Sequence, residues 1–285
     1  MKIGLGLPNA DKSLTRGRLL VDIARRAEAL GFSSLATIGR VAYPNYEELV
    51  TLAAAAGATE RIGLCTDILL AATREPVLLA KQAAALDQIS GGRFVLGIGT
   101  GARPDDFAVT GTDFKTRGRR LDAALDLMHS AWRGEPVPGT SHPVTPRPVN
   151  GKAVPLIFGG GADAVVRRVV RYGIGYTQGG GSPESLKPMK DRVNGAWKAA
   201  GRGGKPQFRA LAYFAFGDES HSEAESNLLD YYGEWGPRVW QGAIKTAGEA
   251  KERIKAYEAI GCDELILFIT APAVDQAERL AEAVL

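Results

Sequence analysis

A chain of 285 residues that is 45% hydrophobic and 24% charged can bury a large core without staples, as one or two globular domains. Its formal charge of +3 is small, and Lys and Arg mix with Asp and Glu, which argues against a nucleic-acid partner. The two cysteines, Cys65 and Cys262, sit in or beside apolar runs and read as reduced core thiols; no Cys/His spacing suits zinc, so no metal is expected.

The start, MKIGLGLPNADK, passes straight into a strand at Ile3 to Leu7. It lacks the apolar stretch of a signal peptide, and no later run of about 20 apolar residues follows, so a cytoplasmic protein without a membrane partner is expected. Leu19, Leu20, Ile23, Ala24, Ala27 and Leu30 then share one helical face, with Gly31 as the cap. Ser33 to Ile38 reads as the second strand, Tyr46 to Ala58 as an Ala-rich helix and Arg61 to Thr66 as the third strand. Pro76 opens a helix that runs to about Ile89 and stops at Gly91-Gly92. Phe94 to Ile98 is the fourth strand and Arg117 to Trp132 the fourth helix.

Gly134 to Pro155 carries prolines at 136, 138, 143, 146, 148 and 155, which forbids helix or central strand. It reads as a long excursion and as a candidate lid. Leu156 to Phe158 is strand five, with a helix from near Ala162; Ile174 to Thr177 is strand six, with a helix from about Glu184 to Ala200. Phe208 to Phe216 is strand seven, followed by helices at Ser222 to Tyr232 and Gly248 to Ile260, the second ended by Gly261. Leu265 to Ile269 is strand eight and Val274 to Val284 the closing helix. Eight strands each followed by a helix predict one α/β domain over residues 1–285, a single (β/α)8 TIM barrel with a Pro-rich insertion after the fourth helix. An open doubly wound sheet is the rival.

Barrel chemistry sits in the loops at the carboxyl ends of the strands. Gly97, Gly99 and Gly101 fall there after strand four, Gly159, Gly160 and Gly161 after strand five, and Gly179, Gly180 and Gly181 after strand six. A strand end without side chains admits the close approach of something flat. The last two turns each open a helix, where free N–H groups suit a phosphate. Tight turns with no ligand are the alternative. GIGTGA, Gly97 to Ala102, matches the dinucleotide fingerprint, but that motif needs a helix to start inside it, and none is expected before Arg117.

Asp67 follows Thr66 at the end of strand three, where an inward carboxylate would face a ligand; a solvated or Arg-paired acid is the plain alternative. The Tyr43 hydroxyl, after strand two, is placed to donate to ring or substrate, or else packs as an aromatic. Arg103 and Asp105 read as ligand contacts or solvated loop charges. His129 reads as a packed or surface residue of its helix, His142 as a solvated loop residue or one that reaches the mouth, and His221 as a cap or surface residue.

Thr59 to Thr66, Leu86 to Arg93 and Leu96 to Gly101 resemble, in order, three signatures of the luciferase-like flavin oxidoreductases, a family of (β/α)8 barrels. VPLIFGGGADAVVRRVVRYGIGY and TAGEAKERIKAYEAIGCDELILF resemble its later segments. The resemblance implies a flavin-type ring near Thr66, Asp67, Gly97 and Gly99, with its phosphate at Gly159, Gly160, Gly161, Gly179 and Gly180. It implies an oxidoreductase that uses FMN or coenzyme F420 on a small-molecule substrate, often as a homodimer. Deazaflavin members often carry Asp or His near the end of strand two, where this chain has Thr37-Ile38-Gly39-Arg40. That departure favours an FMN-linked monooxygenase using oxygen, with reduced flavin from a separate reductase, over an F420-dependent reductase or dehydrogenase. Arg40 would pair with an anionic substrate or with the cofactor. A non-catalytic flavin-binding protein is the reading from another class.

Overall fold

Short apolar runs, broken by glycine and polar residues, form the barrel wall. In the computed structural model, which describes Met1–Leu285, the strands are β1 (Lys2–Gly6), β2 (Ser34–Thr37), β3 (Gly63–Thr66), β4 (Leu69–Leu70), β5 (Phe94–Gly99), β6 (Leu156–Gly159), β7 (Gly175–Gln178), β8 (Gln207–Phe214) and β9 (Glu264–Ile269). Helices α1 (Arg18–Leu30), α2 (Glu48–Ala58), α3 (Pro76–Ile89), α4 (Pro104–Ala108), α5 (Arg117–Arg133), α6 (Asp163–Tyr172), α7 (Pro183–Ala199), α8 (Asp218–Tyr232), α9 (Gly236–Gln241), α10 (Ala247–Ala259) and α11 (Val274–Val284) alternate with them.

The sheet runs β3-β2-β1-β9-β8-β7-β6-β5, all parallel, and β3 pairs with β5 at Leu64↔Phe94 and Cys65↔Val95. That last pairing closes the ring and excludes the open sheet. The two residues of β4 pair only with β5, at Leu69↔Ile98 and Leu70↔Gly99, and extend the wall at the mouth.

Most of the core lies between barrel and helices. On α5, Leu121, Leu125, Met128 and Trp132 form one buried stripe, and the Trp132 indole donates to the Ala80 carbonyl of α3 at 2.9 Å. Burying such side chains contributes roughly 1.5–3 kcal/mol each. Gly31, with φ of 94°, caps α1 by donating its N–H to Ala27 at 3.2 Å, as its position suggests. Inside the barrel the polar side chains form a layer. Glu264 pairs with Arg209 at 2.9 Å and accepts from the Ser33 and Ser34 hydroxyls at 2.6 and 2.8 Å.

Three expectations change. The five-residue helix α4 starts at Pro104, well before Arg117. It still begins outside the Gly97–Ala102 fingerprint, so the dinucleotide motif is absent for the reason the sequence suggested. The six-residue α9 was not foreseen. Segment 134–155 has neither helix nor strand, but it is no lid. It leads from the carboxyl end of α5 into the amino end of β6, which places it on the face opposite the mouth. There the carbonyl of Thr145 accepts from Lys81 and that of Arg147 from Gln88, both at 2.8 Å, while Val149 N–H donates to Asp87 at 2.7 Å. His142 is exposed on that far face and cannot reach the mouth. Deleting residues 139–143 is therefore expected to leave cofactor affinity within about twofold of the parent, as read by fluorescence titration.

No helix is long and apolar enough to cross a membrane.

Candidate active site

The chain leaves β3 through Thr66-Asp67-Ile68, and the Asp67–Ile68 peptide is cis. This segment is what the strand-end glycines make room for. A Cβ on Gly97 would lie 1.9 Å from the Thr66 carbonyl oxygen, and one on Gly99 would lie 2.3 Å from Ile68 Cδ1. On Gly159 it would meet the same Ile68 methyl at 3.0 Å. The close approach inferred from the sequence is real, but the approaching group is the protein's own. Gly99 and Gly159 seat Ile68 over the ends of β5 and β6, where it lines the mouth cavity, while Gly97 admits the Thr66 carbonyl. Thr66 is fully buried, and its hydroxyl donates to the Gly97 carbonyl at 2.6 Å, so it supports the floor from below.

Asp67 is buried at 4% exposure and also lines the mouth cavity. Its Oδ1 accepts from the Thr177 hydroxyl at 2.8 Å, whereas Oδ2 is buried without a partner. Burial pushes its carboxyl up to about 7, against the Thr177 hydrogen bond and the Arg209 charge and with the help of Glu264. An inward acid after β3 is thus present, poised near neutrality.

The two triple-glycine turns differ. Gly160 and Gly180 have φ of +117° and +71°, which only glycine adopts readily. A Cβ at Gly161, Gly179 or Gly180 would meet nothing within 4 Å, so these turns present bare backbone. The Gly179–Gly181 turn, before α7, lines a groove of about 600 Å³ whose other walls include Tyr213, Tyr232, Trp235, Arg238 and Arg253. Gly179 also lines the mouth cavity, so the two spaces meet there. The Gly159–Gly161 turn lines neither space. Arg238 makes no ion pair, and Arg253 reaches only the Gly242 carbonyl at 3.3 Å. Sequence reasoning missed both arginines. Arg238 belongs to the unforeseen α9, and Arg253 is one of several charges on an ordinary amphipathic helix.

The mouth cavity, about 230 Å³, is bounded by Ile38, Gly39, Arg40, Arg103, Asp106, Tyr231 and Tyr232 as well as the floor. At the end of β2 the apolar side chain that lines it is Ile38. Gly39 turns toward α2: a Cβ there would lie 2.5 Å from Glu48 Oε1. Glu48 itself is buried and pairs with Arg74 at 2.7 Å; burial still lifts its carboxyl to about 7, against that arginine.

Arg40 is spent inside the protein. It pairs with Asp105 at 2.6 Å and Asp106 at 2.8 Å, and Asp106 also accepts the Val41 and Ala42 N–H groups, each at 2.8 Å. This clasp ties the loop after β2 to α4, so Arg40 is not a free cation for an anionic substrate. Tyr43 donates its hydroxyl to Asp230 at 2.6 Å and lies edge-on to Tyr231 at 5.1 Å, outside the mouth cavity. Its expected donation to a ring is not available in this arrangement. The unpaired cation at the mouth is Arg103, whose guanidinium lies 4.7 Å from the Tyr231 ring centroid and 5.5 Å from that of Tyr232. His129 packs between Trp132 and Tyr172, and His221 sits in the first turn of α8, so neither joins the site.

The family model described as luciferase-like monooxygenase matches residues 2–282. An uncharacterized protein of Mycobacterium tuberculosis is 31% identical over 222 residues, 67% of this chain and 75% of that relative. The F420-dependent glucose-6-phosphate dehydrogenase of Intrasporangium calvum is 32% identical over 177 residues, 56% of this chain and 53% of the enzyme. Among solved structures, the monooxygenase RslO1 of Streptomyces bottropensis superposes with a TM-score of 0.81 at 20% identity, covering 100% of this chain and 98% of that one, a likeness of fold. With the closed barrel, the ordered signatures and a match over nearly its whole length, the chain belongs to the luciferase-like family of flavin- and F420-dependent oxidoreductases.

Proposed function

We propose that this chain is an F420-dependent oxidoreductase, which brings that deazaflavin against a small organic substrate at the barrel mouth. The observation that carries this reading is the 600 Å³ groove that meets the mouth at Gly179 and has Arg238 and Arg253 in its walls. FMN ends in a single phosphate, which the bare Gly179–Gly181 turn suits by itself. F420 continues past its phosphate into a carboxylate-bearing tail, which calls for added length and positive charge. The match to an F420-dependent dehydrogenase supports the same reading.

The residues present fit such a group. Bare backbone at Gly179 and Gly180 leaves a cradle that any Cβ would begin to fill. When bound, the cofactor supplies two-electron transfer directly to or from the substrate, without oxygen. The chain supplies the setting. Ile68, seated on Gly99 and Gly159, offers an apolar surface for a ring. The Arg40–Asp105–Asp106 clasp fixes the rim of the mouth, which helps hold a substrate in one orientation. Asp67 offers a proton-exchanging group in the wall of the mouth.

A second reading is the FMN-linked monooxygenase fed by a separate reductase. It is favoured by Ile38, since the end of β2 offers the mouth no acid or base.

Parallel fluorescence titrations with F420 and FMN decide between them. We expect F420 to bind at least tenfold tighter. Replacing both Arg238 and Arg253 by Ala is expected to weaken F420 about tenfold, the equivalent of two modest ion pairs, while changing FMN affinity by less than about threefold. Tighter binding of FMN, or equal losses for the two cofactors, would overturn the F420 reading.

A further inference from the structure

Because Ile38, Gly39 and the ion-paired Arg40 at the end of β2 offer the mouth no acid or base, a proton used there must come from another strand. β1 continues past Gly6 to Asp11 through a bend that Asn9 fixes. The Asn9 amide donates to the carbonyls of Ile38 and Tyr46 at 2.8 and 3.0 Å, and its oxygen accepts from Ile38 N–H at 3.1 Å. Asp11 N–H donates to the Pro8 carbonyl at 3.3 Å.

This bend sets the Asp11 carboxyl in a niche walled by Leu7, Ala10, Ile38, Tyr213, Tyr231 and Phe268, with about 20 Å³ of free space. That admits one water-sized group, such as a carbonyl oxygen. Asp11 Oδ2 is buried and has no hydrogen-bond partner. Ile38 and Tyr231 line both the niche and the mouth cavity, so little beyond these two side chains separates the carboxyl from a substrate.

The charged surroundings are one-sided. From α8 Leu228 and the Tyr231 ring line the niche, with the Glu223 carboxylate near enough to act on Asp11 by its charge; from β8 comes the Tyr213 ring, and from β9 only the apolar Phe268 and Ile269. Tyr43 lies close enough to feel the Asp11 charge. The adjacent Lys12 is turned to Asp230 at 3.2 Å, and Arg40, beyond Tyr231, is neutralised by Asp105 and Asp106. No cation lines the niche. Burial first, and then Glu223, hold the Asp11 carboxyl well above the usual carboxylate range. A buried carboxyl oxygen without a partner gives the fold no return, and such groups concentrate where chemistry is done.

We propose that Asp11 is a catalytic acid that holds the oxygen of an uncharged carbonyl substrate at the mouth and protonates it as the carbonyl is reduced. This rests on the F420 reading. In the step, reduced deazaflavin gives hydride to the carbonyl carbon and is oxidised. The C=O π pair takes the proton from the Asp11 O–H, so one C–H and one O–H bond form and an alcohol results. Asp11, left as a carboxylate, recovers its proton from water. The apolar walls and the two carboxyl groups disfavour an anionic substrate head in the niche.

The probe is cyclohexanone, an apolar ring with one acceptor oxygen. In protein carrying ¹³C-labelled aspartate, the Asp11 carboxyl resonance is assigned by its loss in Asp11→Asn. It is expected to titrate well above the ordinary carboxylate range and to move when cyclohexanone is added, with or without cofactor. Asp11→Ala is expected to weaken cyclohexanone at least tenfold, whereas Asp11→Asn, still a neutral donor, keeps binding. Oxidation of reduced F420 by cyclohexanone is expected to fall about 100-fold in Asp11→Asn, the usual scale for losing a general acid. Titration near the ordinary carboxylate value, a resonance that cyclohexanone leaves unmoved, or equal oxidation rates in parent and variant, zero in both included, would overturn the proposal. Failure of the F420 reading shows separately, as absence of F420 binding to the parent protein, because the resonance is also read without cofactor.

Discussion

Gly97→Ala is expected to destabilise the barrel by about 3 kcal/mol or more, among the larger effects of a single methyl group. The added carbon would lie 1.9 Å from the Thr66 carbonyl oxygen, and that oxygen belongs to backbone held on both sides. Thr66 pairs with Thr37 in the β2–β3 ladder, and the next amide, Asp67 N–H, donates to the Thr37 carbonyl at 2.7 Å. The oxygen cannot swing aside as a side-chain tip would, so the β3–β5 seam must open. At roughly 2 °C per kcal/mol for a chain of this size, the melting temperature should fall about 6 °C or more. Two controls separate sterics from a general intolerance of alanine. At Gly57, in α2, a Cβ meets nothing within 4 Å, and Gly57→Ala should raise stability by up to about 1 kcal/mol through helix propensity. At Gly99 the obstacle is the Ile68 Cδ1 methyl, the mobile end of a side chain. Gly99→Ala should therefore melt only slightly lower than the parent but weaken cofactor binding, because Ile68 is pushed into the mouth. Similar melting temperatures for Gly97→Ala and Gly57→Ala would refute the account of the floor.

The same glycines show where sequence reasoning stops. A strand end without side chains was correctly read as a place of close approach, yet backbone freedom does not say what approaches. The Ile68 contacts join it to glycines about thirty and about ninety residues away in the chain and have no local signature. The strands were legible because β-branched runs bounded by glycine leave few alternatives, and α3 was placed over Pro76–Ile89 by its opening proline and closing glycine pair. At β2, however, the run Thr37-Ile38-Gly39-Arg40 does not reveal which residue turns inward. Glu48 of α2 and Asp106 of α4 decide how Gly39 and Arg40 are held, and leave Arg40 ion-paired rather than free. The α9 helix has six residues, too few for a period to emerge, and so Arg238 escaped notice. Segment 134–155 was legible as irregular from its prolines. Its face of the barrel follows from order alone, since a helix-to-strand connection returns to the amino end of the strands, opposite the chemistry. Asp11 carried no signal either, because an acid five residues past a strand is ordinary until the niche around it is seen.

The Asp67→Asn variant is expected to reverse part of the pH dependence of stability. In the unfolded chain this carboxyl titrates at about 3.9, whereas burial lifts it to about 7 in the fold. Between those values the folded protein holds a proton that the unfolded chain has released. Stability contributed by the neutral acid is therefore complete below about pH 4 and is lost as pH rises toward 7, by an amount of order 4 kcal/mol at most. Glu48, lifted to about 7 as well, adds a slope of the same sign, so the variant should lessen the decline without abolishing it. The asparagine oxygen can still accept from Thr177 at the position of Oδ1, and no charge need be buried. Melting curves at pH 5 and pH 8 should then differ in sign of effect: near parity or a slight loss at pH 5, and a gain of about 1–3 kcal/mol at pH 8. A constant difference across that range would mean that Arg209 keeps Asp67 ionised throughout. If the gain in stability comes with loss of turnover, the unpartnered Oδ2 at the mouth is retained for its proton, a stability cost at a working site. If turnover is unchanged, Asp67 serves only to join β3 to β7, and the proton chemistry of the mouth falls to Asp11 alone.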